Sequence, residues 1–195
     1  MLRPPFTAAF GSLLAGKPSP MMLDPAIPAT RDQLFKRLAA LGIKVQTVSH
    51  PPLHSVAEAQ TARQTISGLS AEGHCKNLFL KDKKGALYLI VVLETQNVPI
   101  QALARRIGAA RLSFGKPELL LETLGVTPGS VTPLGLINDP ATKVKVVLDR
   151  ALLDHDLVSC HPLSNDATTA LKPADLCHFI QACGHEPIIL DFEGL

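Results

Sequence analysis

Apolar and polar residues alternate along the chain in short runs whose period changes repeatedly, which predicts a mixture of helices and strands. The segment "TRDQLFKRLAALG", residues 30–42, has three leucines at helical spacing, Thr30 at the N-cap position and Gly42 after the last turn. The segment "IKVQTVSH", residues 43–50, alternates as a half-buried strand does, and two prolines that cannot donate to a ladder follow it. The folded part of the chain therefore opens with a helix and a strand.

A β-hairpin is predicted for "KNLFLKDKKGALYLIVVLE", residues 76–94, where two apolar runs flank a polar turn at residues 82–85. The motif "SVAE" at residues 55–58 is a capping box and predicts the start of a helix before the hairpin. The remaining periodic segments predict helices at 99–107, 117–124 and 173–183, and strands near 134–138, 143–149, 157–160 and 187–192.

Strands in adjacent pairs mixed with helices predict an α/β fold of the α+β-like type, with a mixed, largely antiparallel sheet. We place this single domain at residues 29–195, a length that can bury one sizeable core. Residues 1–28 hold six of the 16 prolines and no acidic side chain before Asp24. We expect them to be a disordered leader or a gene-model extension, because their apolar stretch is too weak for an export signal.

Composition and charge narrow the classes of function that the chain can have. No apolar run approaches the roughly 18–20 residues needed to span a bilayer, so we expect no membrane association. Four cysteines without a C-x-x-C pair favour a reducing cytoplasm. From Lys76 to Lys116, with both included, there are eight Lys or Arg residues and two acidic ones, which fits an anionic partner or an ordinary solvated surface. We predict no metal, because the only zinc-like grouping has no common spacing: Cys177, His178, Cys183 and His185.

Three segments carry polar groups that could act in chemistry, although the chain has no standard nucleophile, P-loop or dinucleotide-binding motif. Lys76 lies at a strand end on the face of two leucines, where its ammonium would meet an anion or extend into water. The loop Gly129–Pro133 could present backbone amides to an oxyanion, or simply connect two elements. His161 at a strand end could exchange a proton or be structural. A nucleophilic Cys75 or Cys160 is disfavoured, since the histidine beside each one faces the other side of its strand.

These segments occur in an order that resembles the YbaK/EbsC superfamily. The markers are "HPP" at 50–52, "GHCKNLFLKDKKG" at 73–85, "RLSF" at 111–114, "LGVTPGSVTPLGLIND" at 124–139 and "HPLSNDATTAL" at 161–171. Together they look most like the free-standing relatives of the prolyl-tRNA synthetase insertion domain, which deacylate mischarged prolyl tRNA. The resemblance covers the chain from about residue 30 to its C-terminus.

The resemblance implies a mixed α/β fold around a curved sheet flanked by helices, with a pocket for the aminoacyl end of tRNA(Pro). It implies catalytic roles for Lys76, Gly129 and His161, which match the family's lysine, G-x-x-x-P loop and pocket histidine. It also implies an enzyme that acts in the cytoplasm without a cofactor and contacts prolyl-tRNA synthetase transiently. The substrate-binding positions that it implies are Asn77, Ser130, Val131, Thr132, Pro133 and Asn165.

The implied activity is hydrolysis of a mischarged tRNA(Pro), with Ala-tRNA(Pro) as the expected substrate. A synthetase pocket built for proline rejects the smaller alanine poorly, since a missing methylene is worth only about 1–3 kcal/mol. Two alternatives stay open. One is another specificity in the same fold, such as Cys-tRNA(Pro), and the other is a non-catalytic module that binds tRNA or DNA through the basic surface. The sequence sets no oligomeric state.

Overall fold

The computed structural model describes residues 27–52, 58, 61, 73–193 and 195. The predicted leader, except for its last two residues, and the predicted capping box, except for its glutamate, lie outside the described residues. No helix in the described part of the chain is long and apolar enough to cross a membrane.

Helices and strands are interspersed along the chain. The helices whose bounds are described are α1 (Arg31–Ala40), α2 (Ile100–Arg106), α3 (Pro117–Leu124) and α4 (Pro173–Ala182), with 3-10 helices at Pro133–Asn138 and Arg150–Asp154. The strands are β1 (Gln46–Ser49), β2 (Cys75–Asp82), β3 (Leu87–Leu93), β4 (Leu112–Phe114), β5 (Val144–Asp149), β6 (Val158–Cys160), β7 (Ala167–Leu171) and β8 (Ile188–Leu190).

The described strands form two sheets. The larger sheet has the order β4-β2-β3-β5-β8, with β2 antiparallel to β3 and β4, and β5 parallel to β3 and β8. The smaller sheet has the order β1-β7-β6 and is antiparallel throughout. The predicted mixed, largely antiparallel α/β fold is therefore confirmed, but its strands are divided between two sheets instead of one.

The two sheets meet just before β2. The Gly73 carbonyl accepts a hydrogen bond from the Ser159 amide at 2.9 Å, and His74 pairs with Ser159 in an isolated parallel bridge. Gly73 has a φ of 71°, and a Cβ at this position would lie 2.0 Å from the Leu157 carbonyl oxygen. Only glycine fits this close backbone approach, so the joint between the sheets depends on it.

Strand β3 is buried on both faces and separates two apolar cores, which explains its continuous apolar sequence. One core contains Phe79 of β2, packed with helices α1, α3 and α4. The other contains Leu80 and, at its edge, the partly buried Leu78, packed with α2. Because side chains alternate along a strand, Lys76 lies on the α2 side with the two leucines, whereas Asn77 lies on the side of Phe79.

Most predicted helices and strands are confirmed. The residues at their ends explain why the sequence predicted them correctly. Thr30 caps α1 in a complete capping box. Helix α3 begins at Pro117 and ends before Gly125, whose φ of 66° is left-handed. The predicted hairpin is β2 and β3, and the Asp82 carboxylate accepts hydrogen bonds from two amides of the turn at 2.9 Å. Local signals therefore predicted these elements correctly.

The strand predicted near residues 134–138 is wrong. These residues belong to a 3-10 helix, because Thr132 caps its first turn and Pro133 takes its first position. A short apolar run alone cannot distinguish a buried helical turn from a strand. Strand β1 is shorter than predicted. Strands β4 and β7 are absent from the prediction, because "LSF" is too short to indicate a strand and "ATTAL" does not alternate regularly.

Candidate functional site

The predicted site residues lie near the joint between the two sheets, on three segments. These are the start of β2, the loop of residues 127–132 and the turn of residues 161–166 between β6 and β7. Thr132 of the loop hydrogen-bonds the Cys160 thiol directly before the turn. Cys160 in turn lies near Cys75, the first residue of β2, and helps to raise its pKa. These contacts bring the three segments together.

Lys76 lies at the start of β2 with its side chain partly buried. Its ammonium donates a hydrogen bond to the Gln96 carbonyl, in the segment that follows β3. The predicted strand face is confirmed, and of the two leucines on it Leu80 is fully buried and Leu78 partly buried. The Lys76 ammonium is thus held near the start of β2, on the opposite face of this strand from Asn77.

Asn77 is the residue of β2 that contacts the loop directly. Its Nδ2 donates to the Val131 carbonyl oxygen at 3.0 Å. Its Oδ1 is buried and has no hydrogen-bond partner among the described residues. Because a buried amide oxygen without a donor is costly, this atom is a candidate acceptor for an N–H or O–H group of a substrate.

The exposed tip of the loop is formed by Gly129 and its neighbours. Gly129 has a φ of 88°, a left-handed conformation that favours glycine. Ser130 is buried, and its amide donates to the Thr127 carbonyl at 3.0 Å. That amide closes a turn within the loop, so the predicted set of oxyanion donors is reduced to the amides of Gly129, Val131 and Thr132.

The inner end of the loop is held by Thr132 and Pro133. Thr132 is fully buried, and its hydroxyl accepts a hydrogen bond from the Leu134 amide at 3.3 Å. Pro133 is also buried and begins the 3-10 helix. Both residues therefore fix the loop backbone next to Val131.

His161 follows β6 and is partly buried. Its Nδ1 lies 3.1 Å from the Ala167 carbonyl oxygen. Since a carbonyl oxygen can only accept, Nδ1 carries the proton and Nε2 of the neutral ring carries the lone pair. Burial lowers the pKa of His161, the bond to Ala167 opposes this shift, and nearby His50 adds to it. The neutral imidazole can thus accept a hydrogen bond through Nε2 near neutral pH.

His50 is a site residue that the sequence did not indicate, although it belongs to the marker "HPP". It is buried, with Nε2 2.9 Å from Thr168 Oγ1 and Nδ1 2.9 Å from the Pro51 carbonyl oxygen. The same argument places the proton on Nδ1 and makes the Thr168 hydroxyl a donor to Nε2. Its closeness to His161 follows from the pairing of β1 with β7, a long-range contact that no local pattern predicts.

Asn165 lies in the turn of residues 161–166, opposite the tip of the loop. A Cβ at Gly129 would be 3.6 Å from Asn165 Nδ2, so the turn and the loop approach each other closely. Leu163 in the same turn has a φ of 72°, which is unfavourable for a residue with a side chain. The structure therefore brings the predicted residues Gly129 and Asn165 together.

The two cysteines of the site are poor nucleophiles. Burial raises the pKa of Cys160 to about 12, although the hydrogen bond from Thr132 opposes the shift. Burial and then the neighbouring Cys160 raise the pKa of Cys75 well above its usual range. Because the thiolate is the reactive form, both side chains are unreactive at neutral pH. In the described residues no group of three or more His, Cys, Asp or Glu side chains could hold a metal ion.

Comparisons with known proteins match most of the chain. The profile of a family described as "Aminoacyl-tRNA editing domain" matches residues 50–179. A relative from Danio rerio, "Prolyl-tRNA synthetase associated domain-containing protein 1", is 39% identical over 165 residues, which cover 84% of this chain and 88% of the relative. A protein from Acetoanaerobium sticklandii, "Prolyl-tRNA editing protein ProX", is 32% identical over 156 residues, which cover 80% of this chain and 93% of that protein.

The fold of this chain is also similar to that of a solved structure. The crystal structure of a candidate trans-editing enzyme for prolyl tRNA synthetase aligns with a TM-score of 0.63 and 23% identity, covering 87% of this chain and 98% of that one. This likeness shows the fold. The segment matched by the family profile contains the start of β2, the loop and the turn.

Proposed function

Because this chain belongs to the aminoacyl-tRNA editing domain family, we propose that it is a trans-editing hydrolase that releases the amino acid from mischarged tRNA(Pro). The observation that carries the proposal is the meeting of Asn77, the loop of residues 127–132 and the turn of residues 161–166 at the joint between the sheets. These segments offer amide donors, a buried amide oxygen and an imidazole acceptor within one small region.

The proposed reaction needs no nucleophilic side chain. An aminoacyl ester is already activated, so water can attack its carbonyl carbon once the ester is held in the right orientation. In this proposal the amides of Gly129, Val131 and Thr132 stabilise the negative charge that develops on the carbonyl oxygen. The ester C–O bond then breaks, and the ribose hydroxyl of the tRNA leaves with a proton from the attacking water.

His161, Lys76 and Asn77 have different tasks in this reaction. The neutral His161 accepts a hydrogen bond through Nε2 from the attacking water or from a ribose hydroxyl. The Lys76 ammonium, now bonded to the Gln96 carbonyl, binds the phosphate of the terminal nucleotide. The unpartnered Oδ1 of Asn77 accepts a hydrogen bond from the α-amino group of the amino acid.

The proposed substrate is Ala-tRNA(Pro), and Cys-tRNA(Pro) is the alternative within the same fold. Partly buried apolar side chains near the joint, namely Cys75, Val131 and Leu163, offer contacts for a small side chain. A second pocket that admits alanine but excludes proline corrects the error that the synthetase makes, because one methylene gives a single pocket only about 1–3 kcal/mol of discrimination.

A basic surface of six exposed Lys and Arg residues, near the C-terminal end of β2, supports an RNA substrate. No acidic side chain in the described part of the chain forms an ion pair with these exposed cations. We propose that these cations bind the phosphate backbone of the tRNA acceptor stem. We also propose that the protein acts in the cytoplasm and contacts prolyl-tRNA synthetase transiently. The exposed cations are Lys81, Lys83, Lys84, Arg105, Arg106 and Arg111.

Replacement of Lys76 distinguishes an editing enzyme from a binding module. We expect Lys76→Ala to slow alanine release from Ala-tRNA(Pro) at least about hundredfold, while the Kd for uncharged tRNA(Pro) rises less than about tenfold. Lys145→Ala, which changes an exposed lysine on β5, is the matched control and should alter neither value. A wild-type protein that binds tRNA(Pro) but releases no amino acid would favour the binding module instead.

A further inference from the structure

Arg31, the first residue of helix α1, contacts the turn of residues 161–166. The Arg31 guanidinium donates hydrogen bonds to Ser164 Oγ and to Asp166 Oδ1. The Ser164 hydroxyl also donates to Asp166 Oδ1 at 2.8 Å. Arg31 therefore binds both residues that flank Asn165, from a position more than 130 residues earlier in the chain.

Hydrogen bonds hold the two ends of this turn. At its start, His161 is bonded to the Ala167 carbonyl. At its end, the Asp166 carbonyl accepts a hydrogen bond from the His50 amide at 2.9 Å. Between them Leu163 holds an unfavourable left-handed conformation, which persists only where the surrounding contacts enforce it. The hydrogen bonds of Arg31 act on Ser164 and Asp166, on either side of Asn165.

The contact between Arg31 and Asp166 joins opposite charges. The side chains of Arg31 and Asp166 are 31% and 48% exposed, so the pair is only partly screened by water. The hydrogen bond from Ser164, and then those from Arg31, lower the pKa of Asp166 and keep its carboxylate ionised at neutral pH. An ionised acceptor strengthens the hydrogen bonds that it receives and makes their geometry more specific.

We propose that Arg31 is a positioning residue of the editing reaction, which holds Asn165 against the Gly129 tip of the loop by binding Ser164 and Asp166. The inference rests on the proposed function, because it assumes that Asn165 contacts the aminoacyl end of the tRNA. Among the described residues Arg31 forms no hydrogen bond with the loop, and in this proposal it does not contact the substrate.

The matched control is Arg37 on the same helix, whose guanidinium donates to the Ala182 carbonyl at 3.0 Å, away from the turn. We expect Arg31→Ala to lower kcat/KM for Ala-tRNA(Pro) about tenfold or more, and Arg37→Ala to change it less than about twofold. Arg31→Lys should recover part of the loss, since an ammonium can contact one of the two acceptors but cannot reproduce the planar guanidinium.

A double mutant separates positioning from general loss of stability. In an Asn165→Ala background, Arg31→Ala should lower kcat/KM less than about twofold further, because the residue that it positions is already gone. A full additional tenfold loss in that background would overturn the proposal. So would an equal effect of Arg31→Ala and Arg37→Ala in the wild-type background.

Amide hydrogen exchange tests the contact without relying on activity. Arg31→Ala should speed exchange of the Leu163 to Asp166 amides about tenfold or more, and Arg37→Ala should not. Unchanged exchange in the turn would overturn the proposal even if activity fell. If the wild-type protein releases no amino acid from any tRNA(Pro), the proposed function fails and the catalytic part of this inference fails with it, whatever the exchange rates show.

Discussion

At the scale of single residues, the surroundings of His161 determine its protonation. Burial disfavours the imidazolium, and His50 contributes in the same direction, whereas the bond from Nδ1 to the Ala167 carbonyl favours it. The net result is a pKa below the ordinary value of 6.5. The ring is therefore neutral near pH 7 and keeps its acceptor at Nε2.

An NMR titration of the His161 ring protons should therefore give a midpoint below 6.5. The unfolded chain has the ordinary pKa and binds more protons than the folded protein in the window between the two values. The free energy of unfolding should thus fall as the pH drops through that window and level off below the folded pKa. His161→Gln should lack this part of the pH dependence, and a midpoint at or above the ordinary value would refute the assignment.

The cysteines give a second prediction at this scale. Burial raises the pKa of both Cys75 and Cys160, so neither thiolate is populated at about pH 7.5. Treatment of the native protein with iodoacetamide should leave these two residues unlabelled by mass spectrometry, and amino acid release should continue at its original rate. Stoichiometric labelling of Cys75 with loss of activity would restore the cysteine nucleophile as a hypothesis.

At the scale of elements, the hydrogen bond from Asn77 to the Val131 carbonyl joins β2 to the loop. Asn77→Ala leaves that carbonyl without its donor, and we expect it to lower the free energy of unfolding by about 1–3 kcal/mol. Asn77→Asp should cost more, because a buried carboxylate would face the carbonyl oxygen. Urea unfolding of the two variants checks both values, and equal stability of Asn77→Ala and wild type would contradict the contact.

Elements with strong local signals could be predicted from the sequence, and those defined by distant partners could not. Helix α3 matches its prediction because Pro117 and Gly125 determine its two ends. The 3-10 helix after Thr132 was predicted as a strand, since four apolar residues carry no distinct period. Strand β7 was not predicted, because its residues form a strand by pairing with β1 and β6.

The same distinction applies to the candidate site. Lys76, the loop and His161 could be chosen from motifs, and alternation along β2 placed Lys76 on the correct face. The proximity of His50 and Arg31 to the turn depends on how α1 and the smaller sheet pack, which no local pattern contains. The use of the Ser130 amide within the loop likewise depends on a turn conformation that sequence does not specify.

At the scale of the whole molecule, the site and the basic surface lie toward opposite ends of β2. Lys76 and Lys81 are five residues apart on this strand, or about 17 Å at roughly 3.3 Å per residue. Replacing three of the cations, Lys83→Glu, Lys84→Glu and Arg111→Glu, should weaken tRNA binding about tenfold or more. It should also reduce the slope of log K against log salt by about 2–3, because each phosphate contact releases counterions. The maximal rate of amino acid release should be unchanged, and an unchanged salt slope would exclude this surface from RNA binding.

The claim that the whole molecule is an editing enzyme is tested most directly by offering Ala-, Cys-, Ser- and Pro-tRNA(Pro) to the purified wild-type protein and following release of each amino acid. We expect Ala-tRNA(Pro) to be deacylated far faster than it hydrolyses spontaneously, while Pro-tRNA(Pro) stays charged. Release of none of the four, or release of proline as fast as alanine, would contradict this claim.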